Sequence, residues 1–250
     1  MYIVPVGQNP SGTKLALERY SEIYAVCKEE SLAILEDDAY FYQQHNAHDD
    51  RPDGDEAAIA GVSGLGPQSF LTVDTDGIVL RMDSFSKVLA PGFRLGWVTG
   101  PKRFVDAYDR MAYASSQNGC SLSMVCLGAM LESWGPSGFD AQVRCLQVAL
   151  RRQCRALLRA CEAHLQGVAE WHAPGAGMFL WLKLLGVRDF SCEELLGLMR
   201  EHRVVVMPGA ACAAIRAPSA PYMRISYVLP EDSYDEGMRR LRRVLDALQA

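Results

Sequence analysis

Apolar positions along this chain change period several times, and each change marks an element boundary. Tyr2-Ile3-Val4-Pro5-Val6 is an apolar run of strand length, closed by the turn residues Gly7-Gln8-Asn9-Pro10-Ser11-Gly12. Residues 14–29 then place Leu15, Ala16, Tyr20, Ile23 and Val26 at helical spacing, and Leu32-Ala33-Ile34-Leu35 is extended again. Strand, turn, helix and strand in that order predict a β-α-β unit and hence a parallel sheet.

Residues 42–68 are rich in Asp, Gly, Pro and His and break every periodicity, which predicts a long loop or insertion. Phe70–Val73 and Ile78–Met82 resume an extended pattern around Asp76-Gly77; the second run leads into Ser84-Phe85-Ser86-Lys87, and Arg94–Val98 returns as a further strand. Helical patterns cover 102–115, 120–134 and 140–167, the last long enough to run between two domains. Beyond it the texture becomes mixed: strands at 169–172, 178–184, 204–207 and 223–228, with helices at 192–202 and 231–248. The division expected is a large domain over 1–139 and an interdomain helix with an α+β small domain over 140–250.

Composition narrows the function classes. A net charge of −5 provides no general basic surface for nucleic acid or anionic lipid. The local cluster Arg151, Arg152, Arg155 and Arg159 reads as the solvated face of a helix. No apolar run reaches the roughly 20 residues of a membrane span. The eight cysteines include no Cys-x-x-Cys pair, lie mostly within apolar helical patterns and read as reduced core thiols of a cytoplasmic-type compartment. His45-Asn46-Ala47-His48-Asp49-Asp50 crowds histidines and carboxylates, but an irregular acidic loop lacks the rigidity of a closed metal site, and no metal is expected.

Four polar islands fall at the carboxyl ends of the predicted strands or on the turns after them: Asn9, Asp37 with Tyr40, Ser84 to Lys87, and Arg94. Ligands bind at that edge of open α/β sheets. A lysine, two hydroxyls and a guanidinium on one turn suit a phosphorylated aldehyde, since an amine condenses with the aldehyde and the other groups hold the phosphate. Arg224 lies inside the apolar strand Tyr222-Met223-Arg224-Ile225-Ser226, a costly location unless it meets an anion.

The order Asn, Asp-x-x-Tyr, Ser-x-Ser-Lys, Arg resembles the fold-type I pyridoxal-phosphate (PLP) aminotransferases. The wording Asp83-Ser84-Phe85-Ser86-Lys87, with Gly92, Arg94 and Gly96 after it, is similar to the aromatic, α-aminoadipate and kynurenine branch. The resemblance implies an α/β, PLP-dependent transferase-like fold with a partial, mainly parallel large-domain sheet and a C-terminal α+β small domain. It implies pyridoxal 5'-phosphate as cofactor and ping-pong Schiff-base transfer of an α-amino group to a 2-oxo acid such as 2-oxoglutarate.

By the same resemblance Lys87 would bind the cofactor covalently and shuttle the proton, and Asp37 would pair with the pyridine nitrogen. Asn9 and Tyr40 would bond its phenolate oxygen, and Ser84, Ser86 and Arg94 its phosphate. Arg224 would clamp the substrate carboxylate, with Asn9 as a second substrate-binding residue. Pro174–Trp181 resembles the small-domain glycine turn and strand that face the substrate, and Val206–Gly209 the loop that closes beside it. Amino-acid and 2-oxo-acid substrates and a homodimer are the partners implied, without nucleic acid or membrane. The match begins in the middle of the family's large domain, so a preceding segment with the glycine-rich phosphate loop and a stacking aromatic is expected before Met1. A truncated or degenerate PLP-binding module, or another fold-type I PLP enzyme, shares the same motifs.

Overall fold

Two four-stranded sheets organise the chain, in the orders β1-β2-β3-β4 and β5-β6-β8-β7. The structure is a computed structural model and describes residues 1–46, 61–64, 69–213 and 221–249. Most of the predicted 42–68 loop, with His48, Asp49 and Asp50, lies outside the described residues.

In the first sheet β1 (Tyr2–Ile3), β2 (Ile34–Asp37) and β3 (Val79–Ser84) run parallel, while β4 (Gly96–Thr99) closes the edge antiparallel to β3. Helix α1 (Leu17–Glu29) crosses between β1 and β2, with Glu18 in its first turn and Lys28 in its last, the signs its dipole favours. Its Tyr20, Tyr24 and Cys27 pack with Ile34, Phe70 and Val79 into a small core. The first apolar run forms a ladder only at Tyr2 and Ile3, because Pro5 has no amide hydrogen to donate to a sheet neighbour.

Residues 70–72 are a 3₁₀ turn instead of the predicted strand. Ser69 caps it by accepting from the Leu71 amide at 3.1 Å, and the buried Glu36 accepts from the Phe70 amide at 3.0 Å. Local polar partners outcompete a sheet ladder there.

Helix α2 (Lys102–Ser115) leads to α3 (Ser121–Leu165), which contains Gly135 at φ 59° and ψ −174° followed by Pro136. The two helices expected at 120–134 and 140–167 therefore abut at one non-helical glycine, with no loop between them. Leu150, Cys154, Leu157, Cys161 and Leu165 recur on one face of α3 and meet Met238, Leu241, Val244, Leu245 and Leu248 of α5 (Ser233–Gln249). Arg151 is buried on this helix, a correction to the solvated face expected for the arginine cluster. Only Cys27, Cys154 and Cys161 are core thiols; Cys120, Cys126 and Cys145 are exposed, and none of the eight forms a disulfide.

The second sheet is antiparallel throughout: β5 (Ala169–Trp171), β6 (Phe179–Leu184), β8 (Tyr222–Ser226) and the edge strand β7 (Met207–Pro208). Helices α3, α4 (Cys192–Glu201) and α5 cover it, and Leu180, Leu182, Met223 and Ile225 point into their shared core. The strand expected at 204–207 shifts to 207–208, because Val204 bonds back to the Met199 carbonyl at 3.0 Å and ends α4. Among the described residues no helix is long and apolar enough to cross a membrane.

Candidate active site

The parallel register of β2 and β3, with Asp37 opposite Met82, brings Asp37–Tyr40 and Ser84–Lys87 to one sheet edge. Asp37 is the last residue of β2, and its Oδ2 accepts a 2.6 Å hydrogen bond from the Tyr2 hydroxyl. Tyr2 is 61% exposed, yet partial desolvation of its phenol, reinforced by that bond and the Asp37 charge, pushes it up to about 12, so it is a donor at neutral pH.

Tyr40 is buried edge-on to Phe179, with ring centroids 6.1 Å apart. Burial raises its phenol above the ordinary value and the Asp37 charge adds to this; the Arg224 charge and the Asn9 side chain oppose it. The Lys87 amine lies 5.9 Å from the Tyr40 ring centroid and forms no ion pair among the described residues. Gln43 fixes the Lys87 backbone by donating from Nε2 to its carbonyl at 2.7 Å.

Ser84 ends β3, and its hydroxyl oxygen accepts from the Ser86 amide at 3.1 Å. Arg94 takes the left-handed conformation, φ 52°, at the end of the Pro91–Phe93 turn. That bend returns its Nη1 to the Ser86 hydroxyl at 3.2 Å and the Pro91 carbonyl at 3.3 Å. No carboxylate neutralises Arg94 among the described residues.

Arg224 reaches across from the second sheet. Its Nη1 donates to Asn9 Oδ1 at 2.6 Å and its guanidinium carbon lies 4.2 Å from the Phe179 ring centroid, while its buried Nε has no hydrogen-bond partner among the described residues. The glycine turn is zipped to the first half of the chain. The His45 and Asn46 amides donate to the Gly175 carbonyl at 3.1 and 2.9 Å, and the Gly177 amide to the Gln43 carbonyl at 3.0 Å. Gly7 and Gly177, at φ +61° and +80°, cross so closely that a Cβ on Gly7 would lie 2.7 Å from the Gly177 Cα. His45 Nε2 meets the Tyr227 hydroxyl at 2.7 Å in the same buried seam.

The expected site residues thus fall into two groups: Tyr40 and Arg224 against Phe179, with Asn9 bonded to Arg224 and Lys87 near the Tyr40 ring, and Ser84, Ser86 and Arg94 on the turn that also carries Lys87. Asp37 stands beside them at the end of β2. Nothing in the motif spacing marked Tyr2, Gln43 or the His45–Tyr227 contact, because their partners are remote in sequence.

Behind Asp37, on the opposite face of β2 and β3, lies a buried charge cluster. Arg81 donates through Nε and Nη2 to the two oxygens of Asp83 at 2.9 and 2.8 Å and pairs with Asp38 at 3.0 Å, while stacking 4.3 Å from the Phe41 ring centroid. Burial pushes the Asp38 carboxyl up to about 8, against the pull of Arg81. Phe41 follows Tyr40, so the cluster anchors the segment that carries Asp37 and Tyr40.

The donor set is that of an anion site beside a nucleophilic amine. Two cations without carboxylate partners, two hydroxyls and a carboxylate at one sheet edge fit a phosphorylated aldehyde with a basic ring nitrogen.

The aminotransferase class I and II family model matches residues 4–241. The mitochondrial kynurenine/alpha-aminoadipate aminotransferase of Bos taurus is 35% identical over 228 residues, 91% of this chain and 49% of that protein. An aromatic amino acid aminotransferase of Schizosaccharomyces pombe is 39% identical over 74% of this chain and 40% of its own length. The crystal structure of the aminotransferase Aro8 from Candida albicans superposes with a TM-score of 0.86 at 27% identity, covering 99% of this chain and 57% of that one. The chain spans about half the length of the curated relatives it matches.

Proposed function

The chain belongs to the class I and II aminotransferase family, and from that premise we propose that it works in transamination with pyridoxal 5'-phosphate. The α-amino group would pass from an aromatic or aminoadipate-type amino acid to a 2-oxo acid, with 2-oxoglutarate as acceptor. The observation that carries this reading is the Lys87 amine and the Arg94 guanidinium on one turn, neither with a carboxylate partner among the described residues, and the Ser86 hydroxyl bonded to Arg94 at 3.2 Å. The kynurenine, aminoadipate and aromatic amino acids named for the relatives support the donor class.

Arg94, Ser84 and Ser86 would bind the phosphate, Asp37 would accept from the protonated ring nitrogen, and Asn9 and Tyr40 would hydrogen-bond the phenolate oxygen. When bound, PLP supplies a sink for the electron pair left at the substrate α-carbon. Lys87 Nζ would take the proton from the substrate α-carbon and deliver it to the aldehyde carbon of the cofactor, ending as the neutral amine again. Arg224 would clamp the substrate carboxylate, and its buried Nε, unpartnered among the described residues, supports that role.

We divide the chain at 139/140 into a partial PLP-binding domain and a helix with the small domain; the two separate sheets and the break at Gly135 support this. A homodimer is the assembly we propose, supported by the exposed Tyr113, Leu122 and Val125 on α2 and α3. We read the compartment as cytoplasmic, which the eight unpaired cysteines favour; cell fractionation tests it against the mitochondrial address in the Bos taurus relative's name.

A second reading, a PLP-binding module without transfer activity, is favoured by the openness of the site, where Asn9 and Arg94 are exposed to water. One experiment separates the two. Purified chain titrated with PLP should develop a visible absorbance that Lys87→Ala removes. It should then pass amino groups from kynurenine, tyrosine or 2-aminoadipate to 2-oxoglutarate. Absorbance without transfer supports the module, and no Lys87-dependent absorbance overturns both.

A further inference from the structure

We propose that Tyr2 is a positioning residue for Asp37: its phenol holds one carboxylate oxygen so that the other faces the ring nitrogen of the cofactor. The inference rests on the proposed function, which gives Asp37 that partner.

The strand register produces the pair. Tyr2 of β1 sits opposite Leu35 of β2, and Asp37 lies two residues beyond Leu35, so all three side chains share one face of the sheet. The length of a tyrosine spans that offset and brings its hydroxyl to Asp37 Oδ2 at 2.6 Å. Among the described residues this is the one hydrogen bond the Asp37 carboxylate accepts, so Oδ1 stays available. A carboxylate at a strand end would otherwise rotate about its side-chain bonds. A single charge-assisted bond to one oxygen fixes the plane in which the other can accept.

The neighbours explain why Tyr2 has this task. Glu36 and Asp38 face the opposite side of β2, with Arg81 and Asp83, and so leave Asp37 alone on its own side. The phenol is a neutral donor that steadies the carboxylate without cancelling the charge the ring nitrogen needs.

The test compares PLP with its 1-deaza analogue, in which carbon replaces the ring nitrogen, by titrating the visible absorbance of each on the wild type and on Tyr2→Phe. Phenylalanine retains the ring and its packing. Tyr2→Phe should weaken PLP binding about tenfold, the size of one charge-assisted hydrogen bond, and leave the deaza analogue unchanged. In an Asp37→Asn background the same change should have no further effect. Equal loss with both cofactors would mean a structural role for Tyr2 and overturn the inference. Wild-type affinity for both would overturn it too, with the function proposal intact. A wild type that gives no Lys87-dependent absorbance removes the function proposal, and this inference falls with it.

Discussion

Arg94 holds a left-handed backbone conformation, φ 52°, that costs a side chain with a Cβ about 1–2 kcal/mol. The bend aims its guanidinium back at Ser86, so the strain is spent on geometry at the proposed phosphate site. Two variants separate conformation from charge. Arg94→Gly should leave the cofactor-free protein at least as stable to heat, because glycine accepts this φ, while weakening PLP binding roughly tenfold to a hundredfold. Arg94→Ala should weaken binding equally and gain no stability. A cofactor titration and a melting curve of each variant check both statements. At this scale much was legible in the sequence: Lys87, Ser84, Ser86 and Arg94 sit within one short string whose order carries its chemistry. Tyr2 and Gln43 were not, because the first needs the β1–β2 register and the second a contact between loops far apart in the chain.

Strands β2 and β3 bury charge where a sheet normally buries aliphatic side chains. Val79, Arg81 and Asp83 alternate inward on β3, and Glu36 of β2 and Asp38 just after it lie on the same side. An alternating pattern shows which positions turn inward, but it cannot reveal that ions occupy them, so this cluster was invisible to hydropathy. Asp38 carries the consequence. Its carboxyl is raised from 3.8 to about 8 in the folded protein, chiefly by burial. The folded state therefore holds a proton that the unfolded chain releases near pH 4, and stability falls as pH rises from there through about 8. Asp38→Asn should flatten that part of the profile, measured by urea unfolding between pH 5 and pH 9 on the cofactor-free chain. The 3₁₀ turn at 70–72 belongs to the same cluster, since Glu36 accepts from the Ser69 hydroxyl at 2.8 Å and the Phe70 amide at 3.0 Å. A strand read from Phe70–Val73 alone could not anticipate a glutamate more than thirty residues upstream as its capping partner.

The two sheets meet through a narrow seam: the Gly7–Gly177 crossing, the backbone bonds of Gly177 to Gln43 and of His45 and Asn46 to Gly175, the His45–Tyr227 contact and the Arg224–Asn9 bond. The sequence marked both glycine turns, yet only the assembled chain sets one against the other. Gly177→Ala would drive a Cβ to 2.9 Å from the Gly7 carbonyl oxygen and strain φ +80° as well. Destabilisation of about 2–5 kcal/mol is expected from the overpacking and the backbone together, read from the urea midpoint. For the proposed homodimer, sedimentation velocity should show a two-chain species that a charged residue at Leu122 or Val125 dissociates; an unchanged wild-type monomer would remove that proposal. The seam also bears on how this scaffold could acquire new substrates. In a library that varies one position at a time, residues 7 and 177 would return only glycine, because each is walled by the other's main chain. Selection for a different amino acid or oxo acid would have to work through the side chains that ring the crossing, Phe179 and Arg224 among them, with the crossing itself as the invariant frame.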